Sequence, residues 1–257
     1  MITILSPAKK LDYDNPAPVK HYTTPDYLDY SQQLINELQK KSVDDIAGMM
    51  NLSKNLANLN KERYMEWQKP ASPDEPNSKQ AAFAFRGDVY QGWNPQELNE
   101  ETLLFAQNHV RILSGLYGIL RPLDLMKPYR LEMGTKLGIN GKKNLYEYWQ
   151  DTITDGINAL LESSENPYLI NLASNEYFKA IDTSRFKAEV ITPVFKDNKN
   201  GKYRVISFFA KKARGMMTRF IAENRIDTPE KLKLFEADGY YYNDELSEGN
   251  TIVFTRG

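Results

Sequence analysis

Apolar positions along this chain repeat at two spacings, and the changes between them mark the predicted elements. Ile2 to Leu5 is an apolar run stopped by Ser6-Pro7, which reads as a short buried strand. Thr24-Pro25-Asp26 offers a helix cap, an N1 proline and a first-turn acid, and Leu28, Ser31, Leu34, Ile35 and Leu38 follow at helical spacing. Ser42-Val43-Asp44-Asp45 and Ser53 open two more helices, the second running to about Trp67. Lys69 to Lys79 carries Pro70, Pro73 and Pro76 and is predicted to be an exposed internal loop. Ala81 to Phe85 reads as a strand, and Asn94-Pro95-Gln96-Glu97 has the form of a capping box. The helix predicted after Asn99 buries Leu103, Ala106, Val110 and Leu113 and delivers the chain to a glycine hairpin.

In the second half, Leu145, Trp149, Ile153, Ile157 and Leu160 mark an amphipathic helix. Tyr168 to Leu172 is a strand, and Ala173-Ser174-Asn175 turns into a helix through Phe178 and Ile181. Two β-rich runs, Val190 to Phe195 and Tyr203 to Phe208, flank a segment ending in Asn200-Gly201, the dipeptide of a tight hairpin. A helix to about Arg225, a turn into a short helix near Leu232 and a closing strand from Ile252 to Phe254 complete the chain. Strands and helices mix without a βαβ rhythm, so the expected class is α+β: one domain over residues 1–257, with a mixed β-sheet and surrounding helices.

Chemistry concentrates at Arg111 to Gly134. Leu113-Ser114-Gly115-Leu116-Tyr117-Gly118 brackets two bulky residues with glycines, a hairpin whose amides can face an anion. Arg121, Lys127 and Arg130 follow beside Pro122 and Pro128. Composition sharpens this. The 257 residues carry 33 basic and 34 acidic side chains, a formal net charge of −1, so no global field favours nucleic acid. The charge is unevenly spread: from Arg111 to Lys143 there are seven Lys/Arg against two acids, and from Lys202 to Lys233 nine against three. On the helix after Phe208, Phe209, Ala213, Met216, Met217 and Phe220 fall within an arc of roughly 100°, the expected core face. Lys211, Arg214, Thr218 and Arg225 gather opposite, with Lys212 and Arg219 beside them, a face that can follow a phosphate backbone or simply be solvated. Asn224 to Leu232 is a second candidate hairpin between helices.

Predicted strand ends carry Ser6-Pro7-Ala8-Lys9-Lys10, Arg86-Gly87-Asp88 and Asn171 to Ser174. Loops held by a sheet converge at such ends, and Ser6, Lys9, Asp88, Tyr90, Asn171 and Ser174 would then line one polar pocket with Arg121 and Arg130. Such a pocket suits an anionic ligand, and a pKa-shifted Lys9 or Asp88 would support acid–base chemistry. The same residues are also ordinary turn formers. Cysteine is absent, which excludes disulfides and thiolate metal sites, and neither a Walker nor a Rossmann phosphate loop is present. His21 and His109 have no partners at ligand spacing, so no metal site and no cofactor is read from the sequence. No run reaches the apolar length of a membrane span and the N-terminus lacks a signal peptide, so a cytoplasmic protein is expected.

Several blocks together are more specific than any one. Ser6-Pro-Ala-Lys9, Phe85-Arg-Gly-Asp-Val-Tyr90, Leu113-Ser-Gly-Leu-Tyr-Gly-Ile-Leu-Arg-Pro-Leu-Asp-Leu-Met126, Pro128-Tyr-Arg-Leu-Glu-Met133, Asn171-Leu-Ala-Ser174 with Glu176-Tyr-Phe-Lys179, and Phe209-Ala-Lys-Lys-Ala-Arg-Gly215 resemble the bacterial YaaA peroxide-stress proteins, in order and over essentially the whole chain. The resemblance implies a cytoplasmic protein induced by hydrogen peroxide, associated with lowering unincorporated iron and so limiting oxidative damage to DNA. It also implies double-stranded DNA as a partner, bound through a basic cleft, and a helix–hairpin–helix element. The residues expected at DNA are Ser114, Gly115, Tyr117 and Gly118 of the hairpin and Lys211, Lys212, Arg214 and Arg219 of the basic helix. The rival reading is an enzyme acting on a small anionic metabolite, with Lys9, Asp88, Arg121 and Arg130 around its pocket.

Overall fold

Ile2–Leu5 lies inside an eight-stranded mixed sheet in the computed structural model, which describes residues 1–257. All four of its residues are buried, as befits a strand covered on both faces. It pairs in parallel with Tyr168–Leu172 on one side and Val110–Ser114 on the other. Glu189–Lys199 and then Thr251–Arg256 extend the parallel run. Short antiparallel strands close the two edges, Gly118–Leu120 against Val110–Ser114 and Tyr241–Tyr242 against Thr251–Arg256. Lys202–Arg204 folds back on Glu189–Lys199 through Asn200-Gly201, both at positive φ (56° and 75°) as the tight hairpin requires. One contiguous apolar cluster runs from Met1 to Phe254, so the expected α+β class and single core hold.

The order of the strands fixes where a site can form. After Ile2–Leu5 the chain crosses to Val110–Ser114, whereas after Tyr168–Leu172 it crosses to Glu189–Lys199 on the opposite side. The two adjacent strands therefore send their connections apart, and a crevice opens at their carboxyl ends, the usual ligand position in open parallel sheets.

Four local expectations are corrected. Ala81–Ala84 is a helical turn rather than a strand, with only Phe85–Arg86 extended and paired to Lys10–Leu11. Three alanines in four residues favour helix over strand. The helix after Asn99 stops at His109, and Val110–Ser114 is extended (Val110 φ −111°, ψ 138°). The 3–4–3 spacing through Val110 and Leu113 imitates a helix, but this β-branched, fully buried run pairs with the central strand. Tyr203 to Phe208 is extended only to Arg204, because the next helix already begins at Ser207. Asn94 adopts left-handed φ and caps nothing with its side chain; the complete capping box is Ser42 with Asp45.

Helix Asp88–Trp93 crosses helix Ser207–Glu223 with almost no separation. A Cβ on Gly215 would collide with the Val89 carbonyl, and one on Gly92 with the Lys212 carbonyl. Only glycine at both positions lets these backbones touch. The contact sets Asp88 and Tyr90 beside Lys211 and Arg214. Gly215→Ala is expected to cost about 1–3 kcal/mol, read as a lower urea midpoint. Gly48→Ala, on an exposed helix face with open space around it, should instead stabilise by roughly 0.5–1 kcal/mol. Equal midpoints for wild type and Gly215→Ala would contradict the close crossing.

Candidate functional site: a basic cleft at the strand ends

Ser6 and Ser174 stand at the carboxyl ends of the two central strands. The Ser174 amide donates to Ser6 Oγ at 2.8 Å, and Ser6 Oγ donates to Ser174 Oγ at 3.2 Å. The Tyr90 hydroxyl donates to the Ser6 carbonyl at 3.2 Å, tying the Asp88–Trp93 helix to the strand end. Tyr129 and Tyr177 are buried nearby, and burial pushes the phenol pKa of all three tyrosines upward, so they remain neutral.

Around this floor opens a cleft of about 1190 Å³. Lys9, Lys10, Arg63, Arg86, Arg130, Lys211 and Arg214 line it against three carboxylates, Asp88, Glu132 and Glu176. Glu132 is shared by Lys9 (2.9 Å) and Arg130 (3.0 Å), which neutralise it jointly. Glu176 accepts the Gly134 amide at 3.1 Å. Asp88 is half-buried and has no ion-pair partner. Lys10, Arg63, Arg86, Lys211 and Arg214 likewise have no carboxylate within ion-pair reach. Arg63 reaches only Asn60 Oδ1, at 3.4 Å, and the half-buried Arg214 side chain makes no hydrogen bond within the protein. Burial lowers the pKa of both guanidinium groups from the ordinary value. The cleft thus holds two desolvated guanidinium groups, Arg63 and Arg214, with no carboxylate in ion-pair reach.

The two sets of expected residues meet here in part. Lys9, Asp88 and Arg130 of the pocket reading share the cleft with Lys211 and Arg214 of the basic helix. Arg121 lies elsewhere: it binds Asp124 and the Thr24 carbonyl and pins two loops together. Lys212 faces Asp238 at 3.6 Å, and Arg219 binds Glu223 at 2.9 Å and Glu97 at 3.4 Å. Lys127 is held by Glu75 at 3.0 Å. Sequence reading missed Arg63 and Glu132. The signal for Arg63 was present, since Leu56, Leu59, Asn60 and Arg63 form one helical stripe, and all four face the cleft.

The glycine hairpin is not displayed. Ser114, Gly115, Tyr117 and Gly118 are buried within a β-hairpin, with no helix on either side of the turn. Ser114 Oγ accepts the amides of Leu116 and Tyr117 at 3.2 and 2.9 Å and bonds the Tyr129 hydroxyl at 2.6 Å. Trp149 Nε1 donates to the Gly115 carbonyl at 2.9 Å, and its ring packs on Gly118, whose φ is +68°. These amides are spent inside the protein, because Ser114 Oγ supplies the acceptor that the sequence reading assigned to an anion. The turn from Asn224 to Leu232 does join two helices, Ser207–Glu223 and Pro229–Leu232, and lies outside the cleft.

No three His, Cys, Asp or Glu side chains come together as a metal site, and no helix is long and apolar enough to cross a membrane. Residues 1–246 match the family described as peroxide stress protein YaaA. The chain is 52% identical over 256 residues to a protein of Shewanella amazonensis named UPF0246 protein, covering 100% of this chain and 99% of that relative.

A structural role for the hairpin has its own signature. Ser114→Ala leaves two amides and the Tyr129 hydroxyl short of a partner, an expected loss of about 1–3 kcal/mol in thermal or urea unfolding. Ligand affinity of the folded variant should stay that of wild type; a selective loss of affinity without loss of stability would return the hairpin to the binding surface.

Proposed function

Because the chain belongs to the peroxide stress protein YaaA family, we propose that it protects the cytoplasm against hydrogen peroxide by holding double-stranded DNA at the basic cleft. Lowering of unincorporated iron, which the resemblance of the sequence blocks implies, is the second part of this reading. For DNA, the supporting observation is the concentration of unpaired cations in one open groove of a protein whose net charge is −1. Lys10, Arg86 and Lys211 are exposed and free of ion pairs, the condition under which a cation can exchange counterions for phosphates. No base-reading element is identified, so contacts are to the backbone and sequence preference is weak.

A second reading, an enzyme acting on a small anionic metabolite, draws on the Ser6–Ser174 pair at the topological switch point beside Lys9, Asp88 and Arg130. Soaking or co-purification that places a small molecule on these serines would favour it.

The DNA reading is tested by Arg86→Gln combined with Lys211→Gln. Duplex affinity should fall, and the slope of log K against log salt should shrink by about 2, roughly one per lost phosphate contact. An unchanged slope in a folded double variant would place the DNA surface elsewhere. The iron reading is tested in peroxide-treated cells, where chelatable iron measured by electron paramagnetic resonance should be higher without the protein.

A further inference from the structure

We propose that the inner part of the cleft, around Arg214, Lys211 and Ser174, is a subsite for a phosphomonoester dianion carried on an organic group. The inference rests on the cleft being the binding site, and it adds a terminal phosphate to the diester backbone expected along the rim.

Three observations carry it. Arg214 is half-buried, forms no ion pair and makes no hydrogen bond within the protein, yet it sits next to Gly215 at the tight helix crossing. A desolvated guanidinium without a counter-charge is costly, and a bound anion restores the balance with its fork geometry. Lys211, one turn earlier on the same helix, lines the same cleft and is also unpaired, so two cations of one helix border one space. A phosphodiester carries one negative charge, whereas a phosphomonoester dianion matches the two neighbouring cations.

The third observation is a free donor. Ser174 Oγ accepts from Ser6 and its own proton has no acceptor in the protein, leaving a hydroxyl available to a phosphate oxygen. Opposite chemistry is supplied by Leu56 and Leu59, each 40% exposed although leucine, on the helix that also lines the cleft. They offer an apolar surface to the organic part of the ligand. A cleft of about 1190 Å³ has room for a nucleotide.

Two sources share this chemistry: a free mononucleotide, and the terminal phosphate of a broken DNA strand. The test uses the full-length protein at about 0.15 M salt. Binding is measured for adenosine monophosphate against adenosine, and for a short duplex with a terminal phosphate against the same duplex ending in hydroxyl. A preference of roughly tenfold or more for either phosphorylated member supports the subsite, and which member shows it identifies the source. Arg214→Met should abolish that preference, whereas Arg214→Lys, retaining charge without the fork, should keep part of it. If Arg214→Met fails to fold by circular dichroism, competition by inorganic phosphate on the wild type reads the same site. Equal binding of phosphorylated and unphosphorylated members, with no competition by inorganic phosphate, overturns the proposal. Loss of binding to hydroxyl-ended duplex alone sinks the DNA reading and leaves this one standing.

Discussion

The contact of two helix backbones at Gly92 and Gly215 is the constraint on which the rest of the site depends. Neither helix belongs to the sheet, and the chain separation between them is more than a hundred residues. Their crossing is nevertheless closer than any pair of side chains would allow. It joins the short helix that follows Phe85–Arg86 to the helix that follows the Glu189–Lys199 hairpin. Tyr90, fixed by this crossing, then bonds the Ser6 carbonyl, and Ser6 binds Ser174. One glycine pair therefore brings elements from the start, middle and end of the chain to a common wall.

Ion pairing decides which of many cations remain available. In the basic stretch after Lys202, Lys212, Arg219, Arg225 and Lys231 each have a carboxylate partner, whereas Lys211 and Arg214 have none. The same selection extends to Arg256, which binds Asp197 and Asp238 while its guanidinium lies over Phe209 and Tyr240. Asp238, Glu97, Glu223, Glu101, Asp227 and Asp197 are engaged in these outer networks. The cleft keeps its positive character because only Glu132 answers it directly, and Glu132 is itself divided between two cations.

Much of the sheet was legible in the sequence, because apolar runs bounded by Ser-Pro, Asn-Gly and Ala-Ser-Asn give the strands at residues 2–5 and 168–172 directly and mark Val190 to Phe195 within the longer strand Glu189–Lys199. The failures have a common cause. Val110 and Leu113 continued a helical spacing, and nothing local reveals that their partner is a strand at the far N-terminus. The glycine hairpin had the residues of an anion site, but amides are claimed by whichever acceptor is nearest, and here that is Ser114. Of the site, Lys9, Asp88, Arg130, Lys211 and Arg214 were found from residue type and position at element ends or on one helix face. Lys212 looks identical to Lys211 in sequence, and only the distant acid Asp238 separates them, whereas Arg219 differs from Arg214 by Glu223 one turn on as well as by the distant Glu97.

The position of Ile2–Leu5 has a consequence for synthesis. Its two hydrogen-bonding neighbours, residues 110–114 and 168–172, are both synthesised after it. At about 5–20 residues per second, the interior strand of the sheet waits on the order of ten to thirty seconds before both edges can be paired. During that interval an apolar strand stands unmatched on the nascent chain, a hazard that local helices such as Leu28–Gln39 and Lys54–Glu66 can form without relieving. Assembly of the sheet is thus bound to a late step of translation, and the cleft, which needs the still later Ser207–Glu223 helix, is among the last features to exist.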